Sequence, residues 1–281
     1  MSPIIDIEDL RYRYSGAEAD ALAGVTLRLD EGEFVALVGP NGSGKSTLAR
    51  LVGGLDRPAG AVRAAVCGHD LLDPDGRLAA RRDVGVLFQN PENQIVGENV
   101  EEDVAFGLEN LGLPSAAIRA RVDEMLERFA LTGLRLREPH LLSGGQKQRT
   151  ALASVLAIPR RLLVLDEPTA MLDPAGRDEV SAAVAALRAD GLTVLLVTQE
   201  MDDVVTADRV LAMEAGRTVF DGRPDGLFGD ADLVRRLSLG LPVAGEVALA
   251  LAGRGAPLRR LPLTIEGLAR ALAPESAWEG P

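Results

Sequence analysis

Residues 39–47 read Gly39-Pro40-Asn41-Gly42-Ser43-Gly44-Lys45-Ser46-Thr47, three glycines followed by a lysine and two hydroxyls. The run matches G-x-x-x-x-G-K-[ST], a pattern able to hold a chain of phosphates. Glycines let backbone N–H groups turn inward around phosphate oxygens, and a helix opening near Lys45 adds its unsatisfied N–H groups and dipole. In such a loop the Lys45 ammonium meets the β and γ phosphates, and the Ser46 hydroxyl ligates Mg²⁺. Of the 30 basic residues only Lys45 and Lys147 are lysine. A chain that otherwise uses arginine thus keeps a compact ammonium where the loop needs one. A second run, Arg161-Leu162-Leu163-Val164-Leu165-Asp166-Glu167, is apolar and ends in two carboxylates. Alone it reads as a buried strand meeting solvent. Beside a phosphate loop, Asp166 suits Mg²⁺ held through its water shell, and Glu167 suits orienting or deprotonating a water.

These side chains need a scaffold, and the hydropathy pattern supplies one. A β-prone run at residues 34–38 leads into the glycine loop, and Leu48, Leu51 and Val52 then follow helical spacing up to Gly53-Gly54. Further strands are expected at residues 4–7, 25–29, 84–88, 162–165 and 193–197, with helices between the later ones, which argues for an α/β sheet with parallel strands. Residues 99–157 read as almost wholly helical, with Ser115 as an expected N-cap and Ile118, Val122, Met125, Leu126 and Phe129 as an apolar stripe. The predicted organisation is one main unit over 1–226, with a helical subdomain inserted at about 93–157. A small C-terminal appendage over 227–281 carries the patterns Val243-Val247-Leu251 and Ile265-Leu268-Leu272.

Composition narrows the functions available. The chain has 281 residues, enough for a sizeable core, and its longest apolar runs are strand-sized, so no membrane span is expected. The start lacks the basic and apolar regions of a secretory signal, so a place on the cytoplasmic side of the membrane is expected. One cysteine, Cys67, and two histidines, His69 and His140, give neither a disulfide nor a metal-ligand cluster. A net charge of −12 argues against nucleic-acid binding, which depends on Lys and Arg neutralising phosphate.

A third motif is Leu142-Ser143-Gly144-Gly145-Gln146-Lys147-Gln148-Arg149. Ser143 with Gln146 three residues on is a capping-box pattern, so by itself it is a well-capped helix start. Together with the phosphate loop and the Asp166-Glu167 strand it resembles the signature of ATP-binding cassette (ABC) ATPases. The resemblance spans roughly residues 4–222. It implies an α/β P-loop NTPase fold with a RecA-like core sheet, with ATP and Mg²⁺ as cofactors. It also implies a head-to-tail dimer in which Ser143, Gly144, Gly145 and Gln146 of one cassette close on the γ phosphate held by the other. On the same resemblance Tyr14 stacks on adenine, with Tyr12 as a rival and a half-buried strand tyrosine as the plain alternative. Gln89 senses Mg²⁺ and the γ phosphate, and Asp173 either crosses the dimer interface or only caps the next helix. The family usually places a histidine where this chain has Gln199, which can hydrogen-bond a phosphate but cannot carry a proton. Slow hydrolysis, dependence on a partner cassette, or plain sufficiency of glutamine are all open at this point.

The stretch Phe88-Gln89-Asn90-Pro91-Glu92-Asn93-Gln94-Ile95-Val96 and the following Val100-Glu101-Glu102-Asp103-Val104-Ala105-Phe106-Gly107 look like the ATPases of energy-coupling-factor transporters. These import vitamins or nickel and cobalt ions. The resemblance implies a second cassette, a transmembrane coupling subunit and a substrate-binding membrane protein as partners, with the appendage resembling that branch's dimerising tail. A binding-protein-dependent importer, a non-transport ABC ATPase and a cassette that binds ATP without hydrolysing it are the competing readings.

Overall fold

The computed structural model describes residues 3–254 and 261–273. In chain order the elements are β1 (Ile5–Tyr12), β2 (Leu22–Leu29), β3 (Phe34–Val38), α1 (Lys45–Val52), β4 (Arg63–Val66), β5 (His69–Asp70), α2 (Pro74–Asp83) and β6 (Val84–Leu87). Then come α3 (Val100–Asn110), α4 (Ser115–Arg128), α5 (Gly144–Ala157), β7 (Leu162–Asp166), α6 (Pro174–Ala189), β8 (Thr193–Val197) and α7 (Met201–Val205). The last are β9 (Arg209–Glu214), β10 (Arg217–Gly222), α8 (Pro224–Gly229), α9 (Ala231–Arg236), α10 (Val243–Ala252) and α11 (Ile265–Leu272).

The strands β3, β7 and β8 are buried at every residue, which is why they are apolar without alternation. They lie in a sheet of order β10-β9-β3-β8-β7-β6, parallel except for β10. Alternate residues serve opposite faces. Val35 and Leu37 face a cluster with Leu48, Leu51 and Val52 of α1, whereas Phe34, Ala36 and Val38 face one with Leu152, Leu156, Val180 and Leu187. The expected α/β sheet with parallel strands is only part of the architecture. A separate antiparallel sheet, β2-β1-β4-β5, buries Ile5, Ile7, Leu10, Leu22 and Leu27 in the α1 cluster. Two of its strands, β1 and β2, fall where strands are expected at residues 4–7 and 25–29, but their pairing into a separate sheet is not expected from the sequence.

The helices α3, α4 and α5 pack on the other side, with Val122, Met125, Leu126 and Phe129 buried and Ile118 partly so. The expected N-cap at Ser115 is displaced by one residue. Ser115 opens α4, and Pro114 (φ −60°, ψ 141°) supplies the extended residue before it, without a side-chain cap. Leu227, Phe228, Leu233, Val234 and Leu237 continue the larger core cluster, while α10 and α11 share a small cluster of Ala244, Ala248 and Leu268. Among the described residues no helix is long and apolar enough to cross a membrane.

The ladder registers decide where chemistry can occur. Leu37 of β3 and Asp166 of β7 both pair with Val197 of β8. The three strands therefore end at one edge, and the segments that follow them emerge side by side, as ligand-binding loops do at the carboxyl ends of parallel strands.

Candidate functional site

The glycine loop leaves β3 in a conformation that only glycine accepts. Gly39 has φ 143°, and a Cβ there would lie 2.1 Å from the Met213 carbonyl oxygen. Gly44 has φ 103° at the N-cap of α1, where a Cβ would come within 2.6 Å of the Ala21 carbonyl oxygen. The loop thus threads between β9 and the start of β2. Lys45, the first residue of α1, is buried and folds back so that Nζ donates to the carbonyl oxygens of Gly39 (2.8 Å) and Pro40 (3.1 Å). Burial pushes its pKa down, against the pull of Glu167 and Asp166. The Ser46 hydroxyl donates to Asp166 Oδ1 at 3.1 Å. Burial raises the Asp166 carboxyl, and that hydrogen bond opposes the rise.

Glu167 stands just past the end of β7 with φ 49°, a left-handed conformation uncommon for a residue with a side chain. Its N–H donates to the Val197 carbonyl at 2.9 Å, which ties the tips of β7 and β8 together. Two amides hold its carboxylate: Gln89 Nε2 donates to Oε2 and Gln199 Nε2 to Oε1, each at 2.9 Å. Gln199 Nε2 also donates to Asn41 Oδ1 at 2.8 Å. Both hydrogens of one amide are thereby used, so Gln199 bridges the glycine loop and the carboxylate.

These groups line a cavity of about 610 Å³ together with Tyr14, Gly42, Gly44, Lys45, Ser46 and Thr47. Of the two candidate tyrosines, Tyr14 reaches this cavity and bonds Thr47 Oγ1 through its hydroxyl at 3.0 Å. Tyr12 packs against the core and meets Tyr14 edge-on, with ring centroids 5.0 Å apart.

The signature residues lie elsewhere. Ser143 and Gln146 close a reciprocal cap on α5: Gln146 N–H donates to Ser143 Oγ at 3.3 Å and Ser143 N–H to Gln146 Oε1 at 3.0 Å. Asp173 caps α6 by accepting from Gly176 N–H at 2.8 Å. The two helix starts touch, since a Cβ on Gly145 would fall 2.8 Å from the Gly176 Cα. An Arg149–Glu179 ion pair continues this seam. None of Ser143, Gly144, Gly145, Gln146 or Asp173 lines the glycine-loop cavity of its own chain.

Sequence reasoning missed the fastening of the segment after Gln89. Gln94 accepts from Phe88 N–H (2.8 Å) and donates to the Val86 carbonyl (2.9 Å), which extends β6 through a side chain. Asp103, buried in α3, accepts from the N–H groups of Val96 (2.7 Å) and Gly97 (3.1 Å) and from Ser154. The available signal was an aspartate within the apolar face Val100-Val104 of α3.

A parallel sheet with a glycine loop and inward lysine at one strand end, and a carboxylate pair at the end of β7, defines a P-loop nucleotide-hydrolysing protein. Residues 22–170 match the family described as ABC transporter, and the chain belongs to it. An energy-coupling factor transporter ATP-binding protein of Symbiobacterium thermophilum is 50% identical over 279 residues, covering 96% of this chain and 97% of that one. The structure of a cassette from Clostridium perfringens, described as part of the CbiONQ ABC transporter complex, superposes with TM-score 0.75 at 34% identity, over 89% of this chain and 100% of that one. A dimeric ATP-binding cassette in a post-hydrolysis state, bound to ADP and phosphate, matches with TM-score 0.71 at 29% identity, over 78% and 98% respectively. ATP-binding subunits of this family are ATPases coupled to transport, and this chain is one of them.

Proposed function

We propose that this chain hydrolyses ATP at the cavity of Lys45, Ser46 and Glu167 to drive an importer of the energy-coupling-factor type. The observation that carries the site is the meeting of Gln89, Gln199 and Asn41 around the Glu167 carboxylate. Glu167 is the base that orients or deprotonates the attacking water, and Gln89 and Gln199 set its direction. The inward glycine backbone and Lys45 take the β and γ phosphates, and Tyr14 takes the base. The donor set suits Mg²⁺: a Ser46 hydroxyl 3.1 Å from a buried Asp166 carboxylate, with the Gln89 amide nearby, offers hard oxygens without a closed protein cage. When bound there, the ion neutralises phosphate charge.

A head-to-tail pairing of two cassettes would give the signature a role. Ser143, Gly144, Gly145 and Gln146, remote from the cavity of their own chain, meet the γ phosphate held by a second cassette, while Asp173 lies at the interface between them. The apolar side chains left exposed on α10 and α11, Val243, Val247, Leu249 and Ile265, suit a contact between two such subunits.

Coupling to the membrane runs through the segment after Gln89. Glu92, Ile95, Glu98, Leu136 and Lys147 border a cavity of about 770 Å³, wide enough to receive the end of a helix from a transmembrane subunit. Gln94 and Asp103 fasten this segment at both ends, so a shift of Gln89 is passed on rather than dissipated. Replacing Ile95 and Val96 with aspartates is expected to leave ATP binding by the isolated subunit intact and to dissociate or uncouple the membrane complex. Normal co-purification and transport in that variant would overturn the energy-coupling-factor reading.

A further inference from the structure

A second cavity, of about 320 Å³, shares no lining residue with the glycine-loop cavity. Phe34 of β3, Leu196 of β8 and Val184 of α6 make it mainly apolar. Its polar lining residues are Asp203 of α7, Thr169, Ser181 and Thr206, with Arg188. A concave apolar site with a few converging polar groups is the usual form of a small-molecule site, and this volume falls at the low end of that range.

The charges around Asp203 say what would fit. On its own element and just before it stand Asp202 and Glu200, which repel its negative charge. From α6, Arg177 attracts it, but that guanidinium is bonded to Glu200 at 2.8 Å. Arg188, also of α6 and at the rim, is paired with Asp208 and stacked over the Phe34 ring at 5.3 Å. Ser181 donates the hydrogen bond that partly steadies the carboxylate. Burial dominates these influences and pushes the carboxyl up to about 6. The cavity therefore holds an acid whose nearest cations, Arg177 and Arg188, each also pair with another carboxylate.

We infer that this cavity binds a small organic ammonium ion, its head group paired with Asp203 and its apolar body filling the space between Phe34, Val184 and Leu196. The head group would add a positive charge beside Asp203, and the walls would take up the hydrocarbon. Thr169 lies two residues past Glu167 and α7 follows Gln199, so the occupant would touch two segments that leave the nucleotide site, together with α6, which Asp173 caps. It would bias turnover as far as it prefers one arrangement of them.

The binding claim does not depend on the transport reading and is tested on the full chain. Calorimetric titration with 2-phenylethylammonium at pH 7.5 is expected to show one saturable site, and 2-phenylethanol, which lacks the charge, to bind at least tenfold more weakly. Asp203→Asn keeps the shape and removes the charge, with its melting temperature as the check that it folds; it should lose the amine's affinity by a similar factor. The parent should lose affinity as pH is lowered from 7.5 to 5, because the carboxyl becomes protonated. Four results would each overturn the inference: no saturable binding, equal affinity for the alcohol, unchanged affinity in Asp203→Asn, or competitive displacement by ATP.

Discussion

At the scale of single residues, the feature most open to test is the hydrogen-bond arrangement around Glu167. Its carboxylate accepts from two glutamine amides, and its backbone is held at φ 49° by the N–H bond to Val197. Glu167→Gln keeps the shape and loses the base, so ATP binding should persist while turnover nearly vanishes. Lys45→Ala should weaken binding instead. Parent-rate hydrolysis by Glu167→Gln in the assembled complex would remove the carboxylate from the chemistry. Gln199 makes a separate case. Because its amide bridges Asn41 and Glu167, Gln199→Ala should reduce turnover by about 1 to 3 kcal/mol, roughly 5- to 150-fold. Gln199→His should hold or raise turnover, and it should add a pH dependence near the imidazole's ordinary pKa of about 6.5, which an amide lacks. A flat pH–rate profile from pH 5.5 to 8 in the histidine variant would place that side chain outside the site.

At the scale of elements, the junction of α5 and α6 joins the proposed trans-acting residues into one body. A Cβ on Gly176 would fall 2.8 Å from the Asp173 oxygen that caps α6 and 3.3 Å from the Gly145 Cα. Gly176→Ala must therefore break the cap or push the start of α5 away. Overpacking of this kind costs about 1 to 3 kcal/mol. We expect a lowered melting temperature together with weaker ATP-driven pairing of cassettes, read by size-exclusion chromatography in the Glu167→Gln background. Unchanged pairing would show that the two helix starts act independently.

At the scale of the whole molecule, stability should carry the mark of Asp203. Its carboxyl is raised to about 6 in the folded chain, against an unfolded value of about 3.9. Between these values the folded state holds a proton that the unfolded state has lost, so this residue's contribution to stability falls as pH rises from about 4 to 6. Above 6 the buried charge is a standing cost. Asp203→Asn should be more stable than the parent at pH 7.5, by on the order of 1 to 2 kcal/mol, and the difference should shrink toward pH 4. Urea unfolding at the two pH values measures it, and a variant less stable at pH 7.5 would contradict the assigned cause.

What could be read from the amino-acid order alone is what local chemistry encodes. The glycine loop, the buried strands β3, β7 and β8, the capping box at Ser143 and the carboxylate pair at the end of β7 each lie within a few residues of one another. Their meaning depends on residue type, spacing and periodicity, which a sequence states directly. The antiparallel sheet escaped, although strands are expected within β1 and β2, because its strands pair across long separations: Ile5 meets Leu29 on one side and Val66 on the other. For the same reason only the fold could bring positions 41, 89, 167 and 199 within hydrogen-bond reach of one another. Nor could spacing say that Tyr14 rather than Tyr12 faces the cavity, that Gly145 rests on Gly176, or that Asp203 lines a second, mainly apolar cavity. Local propensity fixes an element within its own span, whereas the register of parallel strands and the packing of helices on two sheet faces decide which distant side chains meet.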